Sequence, residues 1–308
     1  MTKNKTTMRD IAKACGVSLA TVSYVINNSE KEKIKHETRI KVLETAKRLN
    51  YIPPAGKLIT HQKSNLVGVI INWTHFSTAS KRMLYYDLAI ELQVQLSNLG
   101  FDTIVATTKS LEEEADIIAK RSLDAVFIID MNSEKLHQVT TKYYVPILFL
   151  DCEINDDIFY KVYPNYHVIL TEAKRMLGDQ HPFLVMEDIL NKELKEFITA
   201  GFSQEDIYIH TINNNLQEFL SAHQNQSGIV LGEFLGLEAE RYHNKEKMVV
   251  LTMMEKSNLL SKDIKTITLT NQTKAKAAVN IMERLLQLQY DCCPGNRLLL
   301  NPSNEGSV

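Results

Sequence analysis

Residues 8–28 read MRDIAKACGVSLATVSYVINN, and this stretch decides the fold of the N-terminal part of the chain. Thr7 and Asp10 make a T-x-x-D pair, the pattern of a helix N-cap and its reciprocal partner. The apolar residues that follow share one face of a helix: Met8, Ile11, Ala12 and Cys15. Gly16 suits a left-handed helix end, so the first helix is predicted to stop there.

A second helix is predicted to begin after Ser18, which is a candidate N-cap. Its apolar face consists of Val22, Val25 and Ile26. The remaining face carries Leu19, Ala20, Ser23, Tyr24 and Asn27. A third helix is predicted over residues 36–49. The pattern indicates a helix-turn-helix whose second helix enters a DNA major groove, although a plain three-helix bundle would show the same spacing.

The distribution of charge separates this head from the rest of the chain. Residues 1–63 contain 13 Lys and Arg against 5 Asp and Glu, a net charge of +8. The remaining residues carry 22 basic and 32 acidic side chains, a net charge of -10, and the two parts sum to the whole-chain value of -2. A basic head on an acidic body favours a polyanion as the partner of the head, while a solvated basic surface is the plainer interpretation.

The stretch DIAKACGVSLATVSYVINN resembles the headpiece pattern D-V-A-x-x-A-G-V-S-x-x-T-V-S-R-V-L-N-N of the lactose-repressor (LacI/GalR) family of bacterial transcription regulators. Further along, ETRIKVLETAKRLNYIP is similar to the family pattern E-T-R-x-x-V-x-x-A-x-x-L-x-Y-x-P. The resemblance implies a DNA-binding headpiece over residues 1–53, a hinge linker over 54–65 and a two-lobed body over 66–308 that binds effectors and dimerises. The implied partners are double-stranded operator DNA and a second copy of the chain.

The resemblance also implies roles for individual side chains. Residues at base-facing positions are Leu19, Ala20, Ser23 and Tyr24, and residues at phosphate-contacting positions are Thr7, Ser18, Thr21 and Asn27. Tyr24 departs from the family pattern, which usually has Arg at this position. Arg reads guanine with two hydrogen bonds, which Tyr cannot do, so we expect a different operator. Packing of Tyr24 against a backbone sugar without reading sequence is the alternative.

Pro53 and Pro54, at the junction of headpiece and linker, and Gly56 within the linker end any preceding helix. In the family this segment forms a short helix on the operator, and a leucine from it wedges into the minor groove. Leu58 or Ile59 is the candidate wedge here. Because the family's A-R-x-L pattern is missing, a plain flexible tether remains the alternative.

From residue 66 onward, short apolar runs, such as LVGVIIN (66–72) and PFLVME (182–187), alternate with segments of helical periodicity, such as LEEEADIIAKRS (111–122). This alternation predicts a parallel α/β sheet in each of two lobes. The whole fold class is therefore a small all-α helix-turn-helix headpiece plus a two-lobed α/β periplasmic-binding-protein-like body. The helix at residues 81–98 carries candidate dimerisation residues, for which lobe core is the alternative: Met83, Leu84, Leu88, Leu92 and Leu96.

Ligands of open α/β folds bind outside the carboxyl ends of the strands. Residues at such positions, and therefore candidates for effector binding, are Trp73, His75, Phe76, Asp151, Asn165, Glu233 and Glu255. The family's usual sugar-contacting residues are largely replaced. Trp73 as a lobe-packing residue, His75 as a surface histidine and Glu233 as a solvated acid are the alternatives. Control of the regulator by a protein partner is therefore the alternative to control by a small molecule.

The sequence contains no nucleophile elbow, phosphate loop or metal-ligand spacing, so we predict no enzyme activity and no cofactor or metal. The four Cys show no disulfide framework, and the sequence has no apolar run of about 18 residues and no secretory signal. These features predict a cytoplasmic protein without a membrane partner. The predicted function is a DNA-binding transcriptional repressor that acts as a dimer.

Overall fold

The structure is a computed structural model. It describes residues 6–26, 34, 36–49, 51, 64–74, 77–108, 123–135, 145–156, 159–254, 259–287, 289 and 293–302. Residues 52–63 lie outside this set. The predicted boundary at residue 53 falls within them, and the predicted boundary at residue 65 comes two residues after them. The segment at 111–122, for which the sequence predicts a helix, lies outside it too.

The headpiece contains the three predicted helices: α1 (Met8–Cys15), α2 (Leu19–Ile26) and α3 (His36–Arg48). They enclose a small apolar core to which Ile11, Cys15, Val22 and Val42 contribute fully buried or nearly fully buried side chains. The Thr6 hydroxyl donates to the Leu49 carbonyl at 2.6 Å, which ties the start of the chain to the end of α3. The sequence-based prediction of this unit is confirmed.

The first lobe of the body is a six-stranded parallel sheet. Its strands are β1 (Leu66–Asn72), β2 (Asp102–Thr108), β3 (Ala125–Ile129), β4 (Ile147–Leu150), β5 (Tyr160–Pro164) and β11 (Arg297–Leu300). Their order across the sheet is β11-β5-β4-β3-β1-β2. The strands that lie inside the sheet are buried on both faces, which explains their continuous apolar runs.

The second lobe is a five-stranded parallel sheet. Its strands are β6 (Phe183–Glu187), β7 (Ile207–His210), β8 (Gly228–Leu231), β9 (Met248–Thr252) and β10 (Lys265–Thr268). Their order is β10-β9-β8-β6-β7. The two separate parallel sheets confirm the predicted two-lobed α/β body.

Six helices accompany the two sheets within the described residues: α4 (Ala79–Asn98), α5 (Tyr166–Leu177), α6 (Lys192–Thr199), α7 (Leu216–Ala222), α8 (Glu233–Ala239) and α9 (Asn271–Leu286). Helix α9 follows the second-lobe strands in sequence but packs on α4 and β5 of the first lobe. The chain therefore passes between the lobes before α5 and again before α9. The sequence pattern predicted no element at β5, β10, β11 or α8.

The leucines proposed for dimerisation lie in the core. Leu84, Leu88, Leu92 and Leu96 on α4 are buried, and three of them join the main apolar cluster. Met83 alone among the five candidates is exposed. The lobe-core alternative is therefore the correct one for the four leucines, because their burial leaves them no surface for a second copy of the chain.

His243 lies in an aromatic cluster at the amino end of the second sheet. Its ring packs edge-on against Phe183 with centroids 5.1 Å apart, and Nε2 contacts the Gln226 carbonyl at 3.1 Å. Nδ1 is buried and has no hydrogen-bond partner among the described residues. Burial lowers the pKa of His243, so the folded protein favours the neutral ring.

We expect the protein to lose stability as the pH falls below about 6.5, the usual pKa of an unfolded histidine. The unfolded chain binds a proton in this range that the folded chain resists, so the stabilisation is complete above that pH and is lost below it. Thermal unfolding on either side of this value measures the effect. His243→Gln is expected to show a shallower dependence on pH, and an unchanged slope would contradict the assignment.

Candidate DNA interface and interlobe cleft

The start of α1 carries the predicted reciprocal cap. The Asp10 carboxylate accepts the Thr7 backbone N–H at 2.8 Å and the Thr7 hydroxyl at 2.7 Å, while the Asp10 N–H donates back to Thr7 Oγ1 at 3.4 Å. The side-chain hydrogen bond from Thr7 is the main cause of a lowered pKa at Asp10. The exposed Thr7 is thus held in one orientation at the helix end.

A tight turn connects α1 to α2. Gly16 adopts the left-handed conformation, with φ 68° and ψ 32°, as the sequence predicts. The Ser18 hydroxyl then accepts the Thr21 N–H at 2.9 Å and lies 2.8 Å from the Thr21 hydroxyl. Ser18 is therefore the N-cap of α2, and the two hydroxyls lie together at its amino end.

Helix α2 has one buried and one accessible face. Val22, Val25 and Ile26 are buried in the headpiece core. Leu19 is 43% exposed and Ala20 is exposed, while Ser23 and Tyr24 are half-buried. The four residues predicted to face the bases are thus outside the core and on an accessible surface. Asn27 and Leu58 lie outside the described residues.

Two acidic residues follow neighbouring strands of the first lobe. Asp130 comes after β3 and Asp151 after β4, and both adopt left-handed backbone conformations, with φ 52° and 51°. Asp is among the few non-glycine residues that accept this conformation readily. Because each residue directly follows the last residue of a parallel strand, both lie at the carboxyl edge of the sheet, where the two lobes meet.

Each of these carboxylates is paired with a buried lysine. Lys81 Nζ on α4 lies 2.7 Å from Asp130 Oδ2, and both side chains are almost fully buried. Lys274 Nζ on α9 donates to both Asp151 oxygens at 2.8 and 2.7 Å. Burial raises the pKa of Asp130, and the Lys81 charge opposes that shift. Of these four residues, sequence reasoning identified only Asp151.

Two of these side chains, Asp130 and Lys81, also join the first lobe to the second. Asp130 Oδ1 accepts the backbone N–H groups of Leu190 and Asn191 at 2.8 and 3.1 Å. Lys81 Nζ also donates to the Asp188 carbonyl at 2.5 Å. We call the following residues the interlobe polar cluster: Thr78, Ser80, Lys81, Asp130, Glu187, Asp188 and Asn191.

Glu187, the last residue of β6, receives hydrogen bonds from the start of α4. The Thr78 hydroxyl donates to Glu187 Oε2 at 2.7 Å, and the Ser80 hydroxyl donates to Glu187 Oε1. Desolvation raises the pKa of this carboxyl, while the two hydroxyl donors lower it. The cluster therefore spans the cleft with acceptors and donors matched to one another.

Asn191 completes these contacts from the second lobe. Its side-chain amide donates to the carbonyls of Met131 and Glu153 at 3.0 Å each, and its oxygen accepts the Glu153 N–H at 2.9 Å. The same oxygen accepts the Leu194 N–H at 3.0 Å as the cap of α6. The fully buried amide thereby fixes the first-lobe loops that follow β3 and β4 against the second lobe.

The other predicted effector residues occupy different surroundings. Trp73 is half-buried and packs edge-on against Tyr86, with ring centroids 5.3 Å apart. Asn165 caps α5 at a crossing between the lobes and donates to the Asn301 side chain at 2.9 Å. The side chains of His75, Phe76 and Glu255 lie outside the described residues.

Glu233 is fully buried, so its alternative interpretation as a solvated acid is wrong. Its carboxylate accepts the backbone N–H groups of Met254 at 2.7 Å and Met253 at 3.2 Å. These bonds connect the first turn of α8 to the chain after β9. Burial raises the pKa of Glu233, and the backbone donors oppose that shift.

Sequence reasoning missed Lys81, Asp130, Glu187, Asn191 and Lys274. Asp130 and Glu187 carried the signal already used for Asp151, since each is an acid at the carboxyl end of an apolar run. The two lysines lie within amphipathic helices and show no local sign of burial. Only the fold places them beside carboxylates.

Among the described residues, no group of three or more His, Cys, Asp or Glu side chains is arranged to hold a metal ion. Cys152 is buried beside Asp130, its Sγ lies 3.0 Å from the Met131 N–H, and burial raises the pKa of its thiol. A thiol held in its neutral form is a poor nucleophile. None of the helices in the described ranges has the length and apolar character needed to cross a membrane.

Comparison with known proteins finds a family model for the head and a more distant similarity over a larger part of the chain. The family "Bacterial regulatory proteins, lacI family" matches residues 7–54. A catabolite control protein A from Staphylococcus epidermidis is 24% identical over 225 residues, which is 68% of this chain and 66% of that protein. The chain therefore matches slightly less than two thirds of that relative's length.

Solved structures share the whole fold. A lac repressor dimer bound to operator and an anti-inducer aligns with a TM-score of 0.59 and 18% identity, covering 97% of each chain. A CelR–cellobiose complex aligns with a TM-score of 0.59 and 17% identity, covering 97% of this chain and 98% of that one. The lacI family model matches the capped helix-turn-helix at residues 7–54, and the two parallel-sheet lobes share the fold of these solved structures.

Proposed function

We propose that the chain is a transcriptional repressor that binds a palindromic operator as a homodimer in the cytoplasm. The observation that carries this proposal is the accessible face of α2, at whose amino end the Ser18 and Thr21 hydroxyls lie together. Hydroxyls and N–H groups at a helix start bind phosphate oxygens, and the exposed residues beside them meet base edges. The basic head, with its net charge of +8, supplies general attraction to DNA.

The test is selection of bound sequences from random duplex DNA by the full-length protein at one fixed salt concentration. A palindromic consensus is the expected result, because two heads related by a two-fold axis read two inverted half-sites. Binding that depends on salt but enriches no sequence would contradict specific operator recognition. A consensus without symmetry would contradict the dimeric arrangement but not specific operator recognition.

Ser18 is expected to contribute separately to headpiece stability and to DNA binding. Ser18→Ala removes the cap and should destabilise the head by about 1 kcal/mol. Ser18→Asp keeps a cap acceptor but places a negative charge at the proposed phosphate contact. We therefore expect near-normal thermal unfolding of the Asp variant with weakened operator affinity, measured by fluorescence anisotropy. Unchanged affinity of the Asp variant would contradict the phosphate contact.

Tyr24→Arg is expected to change operator preference. Arg at this position can donate two hydrogen bonds to guanine, which the tyrosine hydroxyl cannot do. Sequence selection with the variant should show guanine at one position of each half-site where the parent protein prefers another base. An identical consensus for both proteins would mean that Tyr24 packs beside the backbone and reads no base.

The proposed dimer forms through an apolar stripe on the outer side of α4. Met83, Tyr86, Ile90 and Val94 are each 44–56% exposed and recur at intervals of three and four residues, so they lie on one side of the helix. Contiguous apolar surface of this kind marks protein–protein contacts. In a two-fold symmetric dimer, the stripe of one copy would pack against the same stripe of the other copy, and both would be buried.

Operator affinity is proposed to respond to a small molecule bound between the lobes. The positions that support this site are the carboxyl ends of the parallel strands, where Trp73, Asp151, Asn165 and Glu233 lie. The candidates His75, Phe76 and Glu255 belong to the same proposal. A ligand that bound one spacing of the lobes better than another would shift the spacing of the heads.

A second candidate is a repressor whose cleft has lost small-molecule binding and which responds to a protein partner. The interlobe polar cluster favours it, because Glu187 and Asp130 already receive donors from the opposite lobe. A ligand that separated the lobes would break these bonds and expose buried charges, which costs free energy. Asp151 is likewise satisfied by Lys274.

Thermal-shift measurements across a panel of metabolites distinguish the two candidates. A ligand that binds only the folded protein raises its unfolding temperature through mass action. A stabilising metabolite that also changes operator affinity would favour control through the cleft. The absence of any shift, with operator binding intact, would favour a protein co-regulator.

A further inference from the structure

We propose that the protein reads thymine in its operator through the 5-methyl group, with Leu19 and Ala20 as the reading side chains. The proposal rests on the proposed function, since it requires that α2 enter the major groove. It identifies the chemical feature of DNA that this helix recognises. Three observations carry it: the position of the two residues, their exposure and the chemistry of the rest of α2.

Leu19 and Ala20 are the first two residues of α2. In a helix-turn-helix the amino-terminal residues of the second helix approach the base edges most closely. The left-handed Gly16 and the Ser18 cap hold the start of this helix in a defined direction. Both side chains therefore occupy the part of the head that meets the floor of the groove.

Leu19 is 43% exposed, although α2 buries three other large aliphatic residues completely or almost completely. The headpiece core thus has its own apolar set and leaves Leu19 outside it. An isolated exposed leucine needs no explanation on an ordinary surface. Here it lies beside an exposed alanine at the reading end of the helix, where its contact surface becomes buried only when DNA is present.

The remainder of α2 contains none of the side chains that read bases with paired hydrogen bonds. From Leu19 to Ile26 the helix has no Arg, Lys, Asn or Gln and no acidic residue. Those residue types make the bidentate contacts to guanine and adenine. The Ser18 and Thr21 hydroxyls lie within hydrogen-bonding distance of each other in the cap. Apolar contact is therefore the main means of discrimination left to the first turn.

The thymine methyl is the apolar feature that a base pair presents in the major groove. Burying it against Leu19 or Ala20 removes apolar surface from water on both sides. A guanine or cytosine in its place would bring hydrogen-bonding groups against these aliphatic side chains without a partner, at a cost in free energy. Both effects favour thymine, and because the methyl lies on one strand, they also distinguish T·A from A·T.

The test uses the full-length protein and the operator obtained by selection, with thymines replaced one at a time by deoxyuridine. This replacement removes the methyl and leaves the base-pairing hydrogen bonds unchanged. We expect about a fourfold loss of affinity for each contacted methyl removed. The dependence of affinity on salt should stay the same, because no phosphate contact changes.

Variants of the protein assign the contact to a side chain. Leu19→Ala should weaken binding to the thymine operator and remove the difference between thymine and deoxyuridine at one position of each half-site. Leu99→Ala is the matched control, since Leu99 is similarly exposed but lies in the body after α4. It should bind both operators as the parent protein does.

Equal affinity of the parent protein for thymine and deoxyuridine operators would overturn the proposal while leaving operator binding established. A selected consensus with only G·C pairs at the positions nearest the start of α2 would overturn it as well. Failure to select any consensus would instead reject the proposed function, and the thymine contact with it.

Discussion

Replacing Lys274 with Met is expected to destabilise the protein by about 3–5 kcal/mol, the usual cost of breaking one side of a buried ion pair. The Lys274 ammonium lies 2.8 and 2.7 Å from the two Asp151 oxygens. The side chains of Lys274 and Asp151 are 2% and 9% exposed, so water cannot solvate the unpaired Asp151 carboxylate unless the protein opens locally. The pair also connects α9 to the end of β4 in the first lobe.

Urea unfolding followed by circular dichroism measures this effect, and two variants make it specific. Arg175→Met removes an exposed ion pair with Glu172 and should change stability by less than about 1 kcal/mol. Asp151→Asn combined with Lys274→Met should be more stable than Lys274→Met alone, because no charge remains buried. A loss for Lys274→Met as small as that of Arg175→Met would contradict the importance given to the buried pair.

Replacing Ile90 with Glu is expected to convert the proposed dimer into monomers and to weaken operator binding by about 100-fold or more. Ile90 is the most exposed residue of the α4 stripe, at 56%. A dimer must bury this side chain, and a carboxylate there would lose its hydration without gaining a partner. Once the copies separate, binding of the second head is no longer intramolecular, and the avidity gain of about 10²–10⁴ is lost.

Sedimentation velocity measures the oligomeric state, and anisotropy with the selected operator measures affinity. Ile212→Glu is the matched control: Ile212 is 57% exposed but follows β7 in the second lobe and is not part of the α4 stripe. It should remain dimeric with unchanged operator affinity. A dimeric Ile90→Glu protein would show that the copies meet elsewhere, and a monomer that retains full affinity would show that one head suffices.

The headpiece could be predicted almost completely because its signals are local. Caps at Thr7 and Ser18 act through hydrogen bonds three residues along the chain, and Gly16 acts through its own backbone angles. The apolar faces of α1 and α2 follow directly from helical periodicity. Residues that share one turn of helix interact whatever the remaining chain does, so the pattern is sufficient.

The body was predicted in outline and not in all its elements. Strands with long apolar runs, such as β1 and β6, were identified, but β5, with the sequence YKVYP, was missed. Its lysine suggests an exposed segment. In the structure the Lys161 side chain is buried, and its ammonium donates to the carbonyls of Ile154 and Asp156. Propensity cannot reveal a buried lysine whose partners lie on a folded loop.

The residues between the lobes could likewise be predicted only in part. An acid at the end of an apolar run can be read from the sequence, and Asp151 was identified on that basis. Its partner Lys274 is 123 residues away, and nothing near either residue indicates the other. The donors to Glu187 from Thr78 and Ser80 likewise become adjacent only when the lobes meet.

By itself, therefore, the sequence determined the capped helix-turn-helix, the accessible face of α2 and the two-lobed α/β class. Each depends on interactions within a few residues or on the alternation of apolar segments along the chain. The tertiary structure alone decided that α9 returns to the first lobe, that α4 leaves an apolar stripe uncovered and that buried charges join the lobes. Those features depend on contacts between distant segments, whose free energy arises only after the sheets have assembled and water has been excluded from between them.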